Sequence, residues 1–287
     1  MAHFAIVGPG HAGSTLAGAL KAAGHLPVGV WGRSLQTAQQ LAEKLHTPVY
    51  TQPSAALSSA DWIFFTVPDT LIAPVAERYA RSGLILPHSV FIHLAGTWGP
   101  HILPAGWPRL ALHPCVSLQG FDQSLQQAPL VAEADAPAAK VAAERIAAST
   151  GAHLLRFPGT DRATYHALCA LTANLVPALL QKIAMQLRSL GFTFQEADEL
   201  ITSLLDSGWR AVRTKGATGF TGPLVRGDVQ TVQHHLSALQ NRAPGLAACY
   251  RQLSQLLLAS LSEVSPAQEE KEGKNGTSSA LANSLPL

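Results

Sequence analysis

The sequence predicts an α/β domain with a parallel sheet at residues 1–158, followed by an all-α domain at 159–264. Short β-rich segments alternate with amphipathic segments up to Pro158, which is typical of a parallel sheet with helices on both faces. From Asp161 onward the apolar residues recur with a helical period and strand-like segments disappear. Residues 265–287 are polar and charged, and we expect them to form a disordered tail.

Composition indicates a globular protein whose partners are small molecules. Hydrophobic residues make up 47% of the 287 residues, and 20 basic residues against 18 acidic ones give a net charge of +2. Because no basic cluster stands out, we expect no nucleic-acid partner and no membrane partner. The three cysteines, Cys115, Cys169 and Cys249, lack the spacing of a disulfide framework or a zinc motif, so we expect core thiols, no metal and a reducing, cytoplasmic location.

The α/β half begins with a strand near 4–7, a helix near 12–23 that ends at Gly24, and a strand near 28–31. Later strands are expected near 49–50, 62–67, 90–94, 110–113, 130–131 and 153–157, and later helices near 36–46, 71–81 and 136–150. The opening strand–helix–strand unit has the length of about 30 residues that a nucleotide-binding unit needs.

A glycine-rich turn follows the first strand directly and opens the first helix. Its sequence, Gly-Pro-Gly-His-Ala-Gly at residues 8–13, is a G-x-G-x-x-G pattern in the strand–turn–helix setting where that pattern binds phosphate. The first glycine permits the tight turn, the second lets a pyrophosphate approach the backbone, and the third lets the helix pack on its strand. We therefore expect a dinucleotide bound by Gly8, Gly10, His11, Ala12 and Gly13.

The end of the second strand predicts which nicotinamide dinucleotide is bound. An NAD site usually places an acid there for the ribose 2′-hydroxyl, whereas this chain places Arg33 and Ser34. A guanidinium suits a 2′-phosphate, so we expect NADP to be the cofactor, with both residues in its site. The alternatives are that Arg33 is a solvated loop cation and that Ser34 caps the next helix, a role we also expect of it.

Three further strands end at residues that would keep a ligand crevice open. We expect the crevice wall beside the ribose and the nicotinamide to comprise Val67, Pro68, Ala95 and Gly96. His113, at the end of a later strand, is a candidate acid. Asp69 is either part of this crevice or, in the interpretation we favour, the N-cap of a helix.

The all-α half begins with a long apolar helix over 163–190, which we expect to kink at Pro177 because proline removes a backbone donor. A capping box at 193–196 opens a second helix that reaches Lys215, Asp228 caps a helix to about residue 240, and a last helix is expected near 245–262. These helices have more apolar surface than one layer can hide, so we expect a homodimer built largely from residues 160–262.

Polar residues stand inside the apolar pattern of the long helix. His166 and Asn174 fall near one stripe with small residues between them, where a ligand could approach. They are either substrate-site residues or a hydrogen-bonded core histidine and an amide that assists the kink. The loop at 221–228 combines glycines with a helix start, which fits either an anion site formed by Thr221 and Arg226 or a structural loop in which Arg226 pairs with Asp228 or a neighbouring acid.

Several motifs, in this order and spacing, resemble a known family. They are the glycine turn at 8–13, Leu-His-Pro at 112–114, Arg-Ala-Thr-Tyr-His-Ala at 162–167 with Asn174, Thr-Gly-Pro at 221–223, Arg-Gly-Asp at 226–228 and His-Leu at 235–236. Over about residues 3–262, the combination resembles the Rossmann-like proteins whose helical half is the domain of unknown function DUF2520.

The resemblance implies a fold class and a cofactor. The fold would be an α/β Rossmann N-terminal domain plus an all-α C-terminal domain similar to that of 6-phosphogluconate dehydrogenase. The same superfamily includes pyrroline-carboxylate reductase and ketopantoate reductase, which implies NADP in the crevice and dimerisation through the helical domain.

One departure from this superfamily bears on catalysis. Its hydroxyacid dehydrogenases pair a catalytic lysine with an asparagine one helical turn later, but Ala170 stands four residues before Asn174. We therefore expect His166 to be the general acid, since a histidine can protonate a forming alkoxide near neutral pH, with His113 as the second candidate. Asn174 would orient the carbonyl oxygen, and Arg226 or an amide of its loop would hold a substrate carboxylate.

These residues predict an NADPH-dependent reductase of a small carbonyl compound, with a ketopantoate-like 2-oxo acid as the favoured small-molecule substrate. An imine reductase of the pyrroline-carboxylate type would suit the same arrangement. A different class of protein, a non-catalytic NADP-binding sensor or regulatory protein, is the alternative. It stays open because the catalytic lysine of the hydroxyacid dehydrogenases is missing.

Overall fold

A computed structural model of the chain describes residues 1–262. Contacts divide the chain into two compact units, Met1–Asn174 and the part from Leu175 onward. The predicted domain boundary at residue 158 lies before this division, because the helix that follows it belongs to the first unit. The predicted disordered tail, residues 265–287, lies outside the described residues.

The first unit contains the predicted sheet with helices. Its strands are β1 (His3–Val7), β2 (Leu26–Trp31), β3 (Val49–Tyr50), β4 (Trp62–Phe65), β5 (Val90–His93), β6 (Arg109–Pro114), β7 (Pro129–Ala134) and β8 (His153–Arg156). Its first four helices are α1 (His11–Ala22), α2 (Leu35–Leu45), α3 (Asp69–Ala80) and α4 (Pro137–Thr150). The sheet order is β3-β2-β1-β4-β5-β6-β7-β8.

Two hydrophobic cores cover the two faces of the sheet. Successive side chains of a strand point to opposite faces, so Phe4 and Ile6 of β1 enter one core while Ala5 and Val7 enter the other. The first core also contains apolar residues of α1, α2 and α4, and the second contains those of α3. The central strands β4 and β5 are buried along their whole length, as expected for a parallel sheet covered on both sides.

The strand order places the candidate site. The chain runs outward from β1 through β2 to β3 and then returns to β4 on the other side of β1, so the order reverses between β1 and β4. Open α/β sheets bind ligands at the carboxyl ends of the strands at such a switch point. The glycine turn at 8–13 follows β1 at this place.

The sheet departs from the predicted all-parallel pattern at β7, which pairs antiparallel to β6. Parallel neighbours need a crossover connection, usually a helix, whereas residues 115–128 between β6 and β7 contain no helix and turn the chain back. Strand β8 is again parallel to its neighbour, because α4 connects it to β7.

The long apolar helix is interrupted earlier than predicted. It consists of α5 (Arg162–Ala170), a π-helical turn (Leu171–Leu175) and α6 (Val176–Ser189). Pro177 lies in the first turn of α6 and cannot donate to the carbonyl of Ala173, so the irregularity occupies the turn before the proline. The prediction of a disturbance was correct, but its position at Pro177 was wrong.

The second unit contains α6, α7 (Phe194–Lys215), α8 (Val229–Arg242) and α9 (Pro244–Ser262). The predicted capping box is present, since Thr193 accepts from the Glu196 backbone and the Glu196 carboxylate accepts from the Thr193 backbone. Asp228 caps α8, as predicted. A small core forms around Val232 and Leu236 of α8, with partly buried apolar side chains of the preceding loop and α9 packed against them.

By length and composition, the helix Arg162–Ser189 could cross a membrane. It has 28 residues and a window of mean hydropathy 1.4, none of which is buried. The helix begins with a charged residue, Arg162, whose side chain is only 4% exposed and forms an ion pair with Glu133 of β7. In α6, Val176 and Met185 are exposed, whereas Ile183 and Leu187 are partly buried.

Candidate active site

The glycine turn, Gly8–Gly13, lies between the carboxyl end of β1 and the start of α1, and its three glycines have different surroundings. Gly8 has a φ of +112°, and a side-chain carbon there would lie 2.6 Å from the Thr66 carbonyl carbon. At Gly13 such a carbon would lie 2.6 Å from Thr66 Oγ1 and closer still to the Gly8 carbonyl oxygen. At Gly10 it would meet nothing within 4 Å.

These surroundings fit a phosphate cradle. Packing requires glycine at positions 8 and 13, because a side chain there would overlap the loop after β4, and the positive φ of Gly8 favours glycine as well. Gly10 is exposed at the N-cap of α1, where backbone amides point outward and favour an anion. His11 and Ala12 form the first turn of that helix.

Arg33 and Ser34 follow β2 beside the glycine turn. Gly32 connects the two places, since a side-chain carbon there would lie 3.0 Å from the ring of Pro9. Ser34 caps α2 as predicted, with its Oγ accepting from the Thr37 amide at 3.4 Å. Arg33 is exposed, and the arginine ion pairs found among residues 1–262 are those of Arg81, Arg109, Arg156 and Arg162.

The loop after β4 forms the other side of the switch point. Thr66 Oγ1 donates to the Gly8 carbonyl at 2.7 Å, which ties this loop to the glycine turn. Val67 is partly buried, and Pro68 is exposed. The N-cap role favoured for Asp69 was wrong, because Pro68 occupies the N-cap position and Asp69 is the first residue of α3. An acid in that first turn still interacts favourably with the helix dipole.

A pocket of about 640 Å³ opens between the glycine turn, the ends of β5 and β6, and the helix that starts at Arg162. Ala12 belongs to its lining, as do the predicted site residues Ala95, Gly96, His113, His166 and Asn174. The first unit thus brings two of the four predicted wall residues, Ala95 and Gly96, together with the three predicted catalytic residues, whereas Val67 and Pro68 are not part of this lining.

His166 lies directly against the end of β5. Its Nδ1 and Thr97 Oγ1 are 2.6 Å apart, and a side-chain carbon at Gly96 would lie 2.9 Å from His166 Cγ and closer still to Cδ2. Gly96 is therefore needed for the histidine to reach this position. Where the Thr97 hydroxyl donates to Nδ1, the ring carries its proton on Nε2. His166 is thus partly buried, hydrogen-bonded and part of the pocket lining, and its role toward a substrate stays a prediction.

His113 is partly buried at the end of β6, and Tyr165 is its partner. Its Nδ1 lies 2.7 Å from the Tyr165 hydroxyl, and the His166 ring is 5.4 Å away, edge to face. Burial, then the nearby His166 and Arg162, lower the pKa of His113 to about 4. Burial raises the pKa of Tyr165 well above its ordinary value. At neutral pH both groups are therefore uncharged, and His113 is a hydrogen-bond partner in this pocket.

Arg162 is buried next to the pocket and holds the loop after β5 in place, a role that its position in the sequence did not reveal. Its Nε donates to the Gly96 carbonyl at 3.2 Å and its Nη1 to Glu133 Oε2 at 3.1 Å. Its guanidinium also lies 4.9 Å from the centre of the Phe157 ring. The Arg162 side chain thereby links β7, the β5 loop and the start of α5.

The cysteines differ from the expected core thiols. Cys249 is exposed in α9, while Cys115 and Cys169 are partly buried and line the pocket. Cys115 Sγ lies 3.1 Å from the Tyr165 hydroxyl. Cys169 stands four residues after Tyr165, so the two side chains share one face of α5. The long sequence separation of Cys115 and Cys169 concealed their proximity.

Asn174 is exposed in the π-helical turn, at the rim of the pocket. Thr221 and Arg226 belong to the second unit, and both are exposed. Among residues 1–262 no ion pair joins Arg226 to Asp228, and the Asp228 carboxylate accepts from the amide and hydroxyl of Thr231, at 3.1 Å and 2.7 Å. The alternative that paired these two residues is thus not what the structure contains.

Two domain families match the chain. Residues 2–114 match the Rossmann-like domain, and residues 128–257 match the domain of unknown function DUF2520. Both matches confirm the resemblance that the motifs indicated. A comparison with curated proteins finds no match.

Solved structures with low sequence identity share the fold. A protein from Thermotoga maritima is 23% identical with a TM-score of 0.67, over 90% of this chain and 98% of that one. A Bacteroides fragilis protein provisionally assigned as an NADP oxidoreductase is 20% identical with a TM-score of 0.69, over 89% and 97%. The imine reductase from Myxococcus stipitatus, in complex with NADP+, is 14% identical with a TM-score of 0.64, over 91% and 95%.

Proposed function

The chain carries a Rossmann-like domain followed by a DUF2520 domain, and from this we propose that it is an NADPH-dependent reductase of a small carbonyl compound, with a 2-oxo acid as the favoured substrate class. The observation that carries the proposal is the pocket that His166, His113 and Asn174 line together with Ala12 of the first turn of α1. The similarity to an NADP oxidoreductase and to an imine reductase bound to NADP+ supports it.

The residues for a dinucleotide fit the role. The open space at Gly10, the amides of the first turn of α1 and the exposed Arg33 would hold a pyrophosphate and a 2′-phosphate. Val67, Pro68, Ala95 and Gly96 would line the wall beside the ribose and the nicotinamide. NADPH bound there supplies a hydride to the substrate.

His166 is the residue that would give the proton. As an imidazolium, the ring would donate from Nδ1 to Thr97 Oγ1, 2.6 Å away, and would give the Nε2 proton to the substrate oxygen, which leaves a neutral imidazole. Asn174, at the pocket rim, would orient the substrate oxygen, and Thr221 and Arg226 would bind its carboxylate. His113 is the weaker candidate acid, because its pKa of about 4 leaves it uncharged at neutral pH.

A reductase of imines is the second candidate, favoured by the similarity to the Myxococcus stipitatus imine reductase. The experiment measures NADPH oxidation with a panel of 2-oxo acids and a panel of cyclic imines, alongside thermal unfolding with NADPH alone. We expect NADPH to raise the unfolding temperature and a 2-oxo acid to be turned over. Turnover of imines alone selects the second candidate. Binding of NADPH with turnover of neither panel selects the sensor.

Substitutions of the residues proposed for catalysis and substrate binding test the assigned roles. His166→Ala should lower turnover by roughly 10²–10⁴-fold with little change in NADPH affinity, as expected for loss of a general acid. Asn174→Ala should lower turnover less, and Arg226→Ala should act mainly through KM. His88→Ala, an exposed histidine away from the pocket, is the matched control and should behave as the unmodified protein. Near-normal turnover of His166→Ala would transfer the role to His113.

A further inference from the structure

Three metal-ligand side chains converge at one side of the pocket. The ligand atoms of His113, Cys115 and Cys169, here called the thiol cluster, all lie within 4.8 Å of one another. Cys115 Sγ is 3.6 Å from His113 Nδ1. All three side chains are partly buried, and both thiols are free.

The local structure explains why these residues meet. His113 and Cys115 are two residues apart at the end of β6, so their side chains lie on the same face of the strand. The Cys115 amide still donates to the Pro129 carbonyl at 2.8 Å, which keeps the extended conformation at this position. Cys169 comes from the last turn of α5, whose first residue is tied to β7 by the Arg162–Glu133 ion pair.

This donor set suits a soft divalent metal. Two cysteine sulfurs and one imidazole nitrogen are the ligands that zinc takes in tetrahedral sites, and three protein ligands leave one position for water or substrate. A divalent ion with two thiolates and a neutral imidazole has no net charge, which limits the cost of partial burial. Hard cations prefer oxygen ligands, and none of the three residues supplies one.

We propose that the thiol cluster of His113, Cys115 and Cys169 is a zinc-binding site whose fourth coordination position faces the pocket. Binding replaces the two thiol protons by bonds to the metal, and the protons pass to the solvent. The inference does not depend on the reductase activity, since it concerns only residues of the first unit and is measured without NADPH.

The Tyr165 hydroxyl is the neighbour that competes with the metal. It lies 2.7 Å from His113 Nδ1 and 3.1 Å from Cys115 Sγ, so it hydrogen-bonds two of the three ligand atoms. Tyr165→Phe keeps the ring and removes this competitor. We therefore expect Tyr165→Phe to bind zinc at least as tightly as the unmodified protein.

The experiment titrates the reduced full-length protein with Co²⁺ as a spectroscopic probe and then displaces it with Zn²⁺. We expect one metal per chain, an intense thiolate-to-cobalt charge-transfer absorption, and its loss on adding zinc. Cys115→Ser and Cys169→Ser should each weaken binding by more than about 100-fold, because even residues that only orient a ligand contribute roughly 10–100-fold. Cys249→Ser, at the exposed cysteine, is the matched control and should leave the titration unchanged.

A second measurement uses the unmodified protein and therefore does not depend on the folding of variants. Zinc should protect Cys115 and Cys169 from alkylation, while Cys249 reacts at the same rate with and without the metal. Absence of the charge-transfer absorption, equal protection of all three thiols, or loss of binding in Tyr165→Phe would overturn the site. So would a disulfide between Cys115 and Cys169 that forms even in the presence of zinc.

Discussion

Arg33 is the single side chain on which the expected choice between NADP and NAD depends. It is exposed after β2, and no acid stands at the end of that strand. Replacing Arg33 by Ala should remove most of the preference for NADPH over NADH, since the guanidinium is the group suited to a 2′-phosphate. The affinities of both cofactors, measured by titration, test this expectation.

The matched control is Arg78→Ala, which removes an exposed arginine of α3 in the same unit. Its cofactor preference should equal that of the unmodified protein. Equal or tighter binding of NADH by the unmodified protein would contradict the assignment of Arg33.

From His93, at the end of β5, we predict how the free energy of unfolding depends on pH. It is fully buried, its Nε2 donates to the Gly99 carbonyl at 3.1 Å, and burial lowers its pKa from 6.5 to about 4. The positive charges of Arg162 and His101 act in the same direction. In the unfolded chain His93 therefore binds a proton below pH 6.5, whereas in the folded protein it stays neutral down to about pH 4.

The free energy of unfolding should thus fall as the pH is lowered through this window, by up to about 1.4 kcal/mol per pH unit from this one group. Denaturant unfolding of the unmodified protein and of His93→Gln, at a series of pH values between 7 and 4, measures the contribution. We expect a shallower dependence in the variant. Identical pH dependences would show that His93 is not the group responsible.

At this scale the sequence predicted some site residues and missed others. His166 could be found because a histidine inside an apolar helical pattern is conspicuous. The glycines of the turn at 8–13 could be found because the G-x-G-x-x-G spacing after a strand is typical of phosphate binding. The partnership of Cys115 with Cys169 depends on where a strand end and a helix meet, which sequence separation does not reveal. The same holds for Arg162 and Glu133, whose side chains meet only after β7 has turned back.

Among the elements, the glycine turn between β1 and α1 offers a sharp separation of folding from binding. At Gly13 an added methyl group would overlap the Gly8 carbonyl and Thr66, so Gly13→Ala should lower the free energy of unfolding by about 1–3 kcal/mol. At Gly10 there is open space and an ordinary φ of −74°, so Gly10→Ala should leave stability within about 0.5 kcal/mol.

Cofactor affinity should respond in the opposite order. Gly10→Ala places its methyl group where we expect the pyrophosphate to approach, so NADPH binding should weaken while the protein stays folded. Thermal unfolding and NADPH titration of the two variants provide the comparison. A stable Gly10→Ala protein with unchanged NADPH affinity would show that the pyrophosphate does not bind beside Gly10.

The sequence predicted elements with strong periodicity well. Strands β4 and β5 and helices α2 and α7 lie close to their expected positions because each has a clear apolar pattern and, in α2 and α7, a capping residue. The direction of β7 was missed, since alternation within a strand carries no information about whether its neighbour runs parallel. The π-helical turn was missed because no residue type specifies it; Pro177 only marks its vicinity.

At the scale of the whole molecule, the exposed apolar surface of the second unit indicates a protein–protein interface. Large side chains of α7 are strongly exposed, with Phe194 at 74%, Leu204 at 71% and Trp209 at 63%. Patches of this kind mark interfaces in soluble proteins. We expect a second copy of the chain to cover them, so that light scattering gives about twice the chain mass of 30.2 kDa.

Leu204→Asp should weaken this dimer, because it would bury a charge in an apolar contact. Val141→Asp is the matched control, since Val141 is an exposed apolar residue of α4 in the first unit, 51% exposed. Its mass should stay that of the unmodified protein. A monomer at micromolar concentration would contradict the dimer, and a mass that depends on added detergent would favour a membrane surface for the helix Arg162–Ser189.

The π-helical turn at Leu171–Leu175 is the part of the long helix where the loss of a single residue would disturb the helix least. A π turn holds one residue more than the α turn it replaces, so removing one residue there would leave a continuous α-helix with the residues on either side close to their present directions. A deletion in a regular α-helical turn, by contrast, would rotate everything after it by about 100° relative to His166, since an α-helix turns once in about 3.6 residues. Chains related to this one by descent should therefore differ by one residue in length within 171–175 more readily than within the α-helical turns on either side.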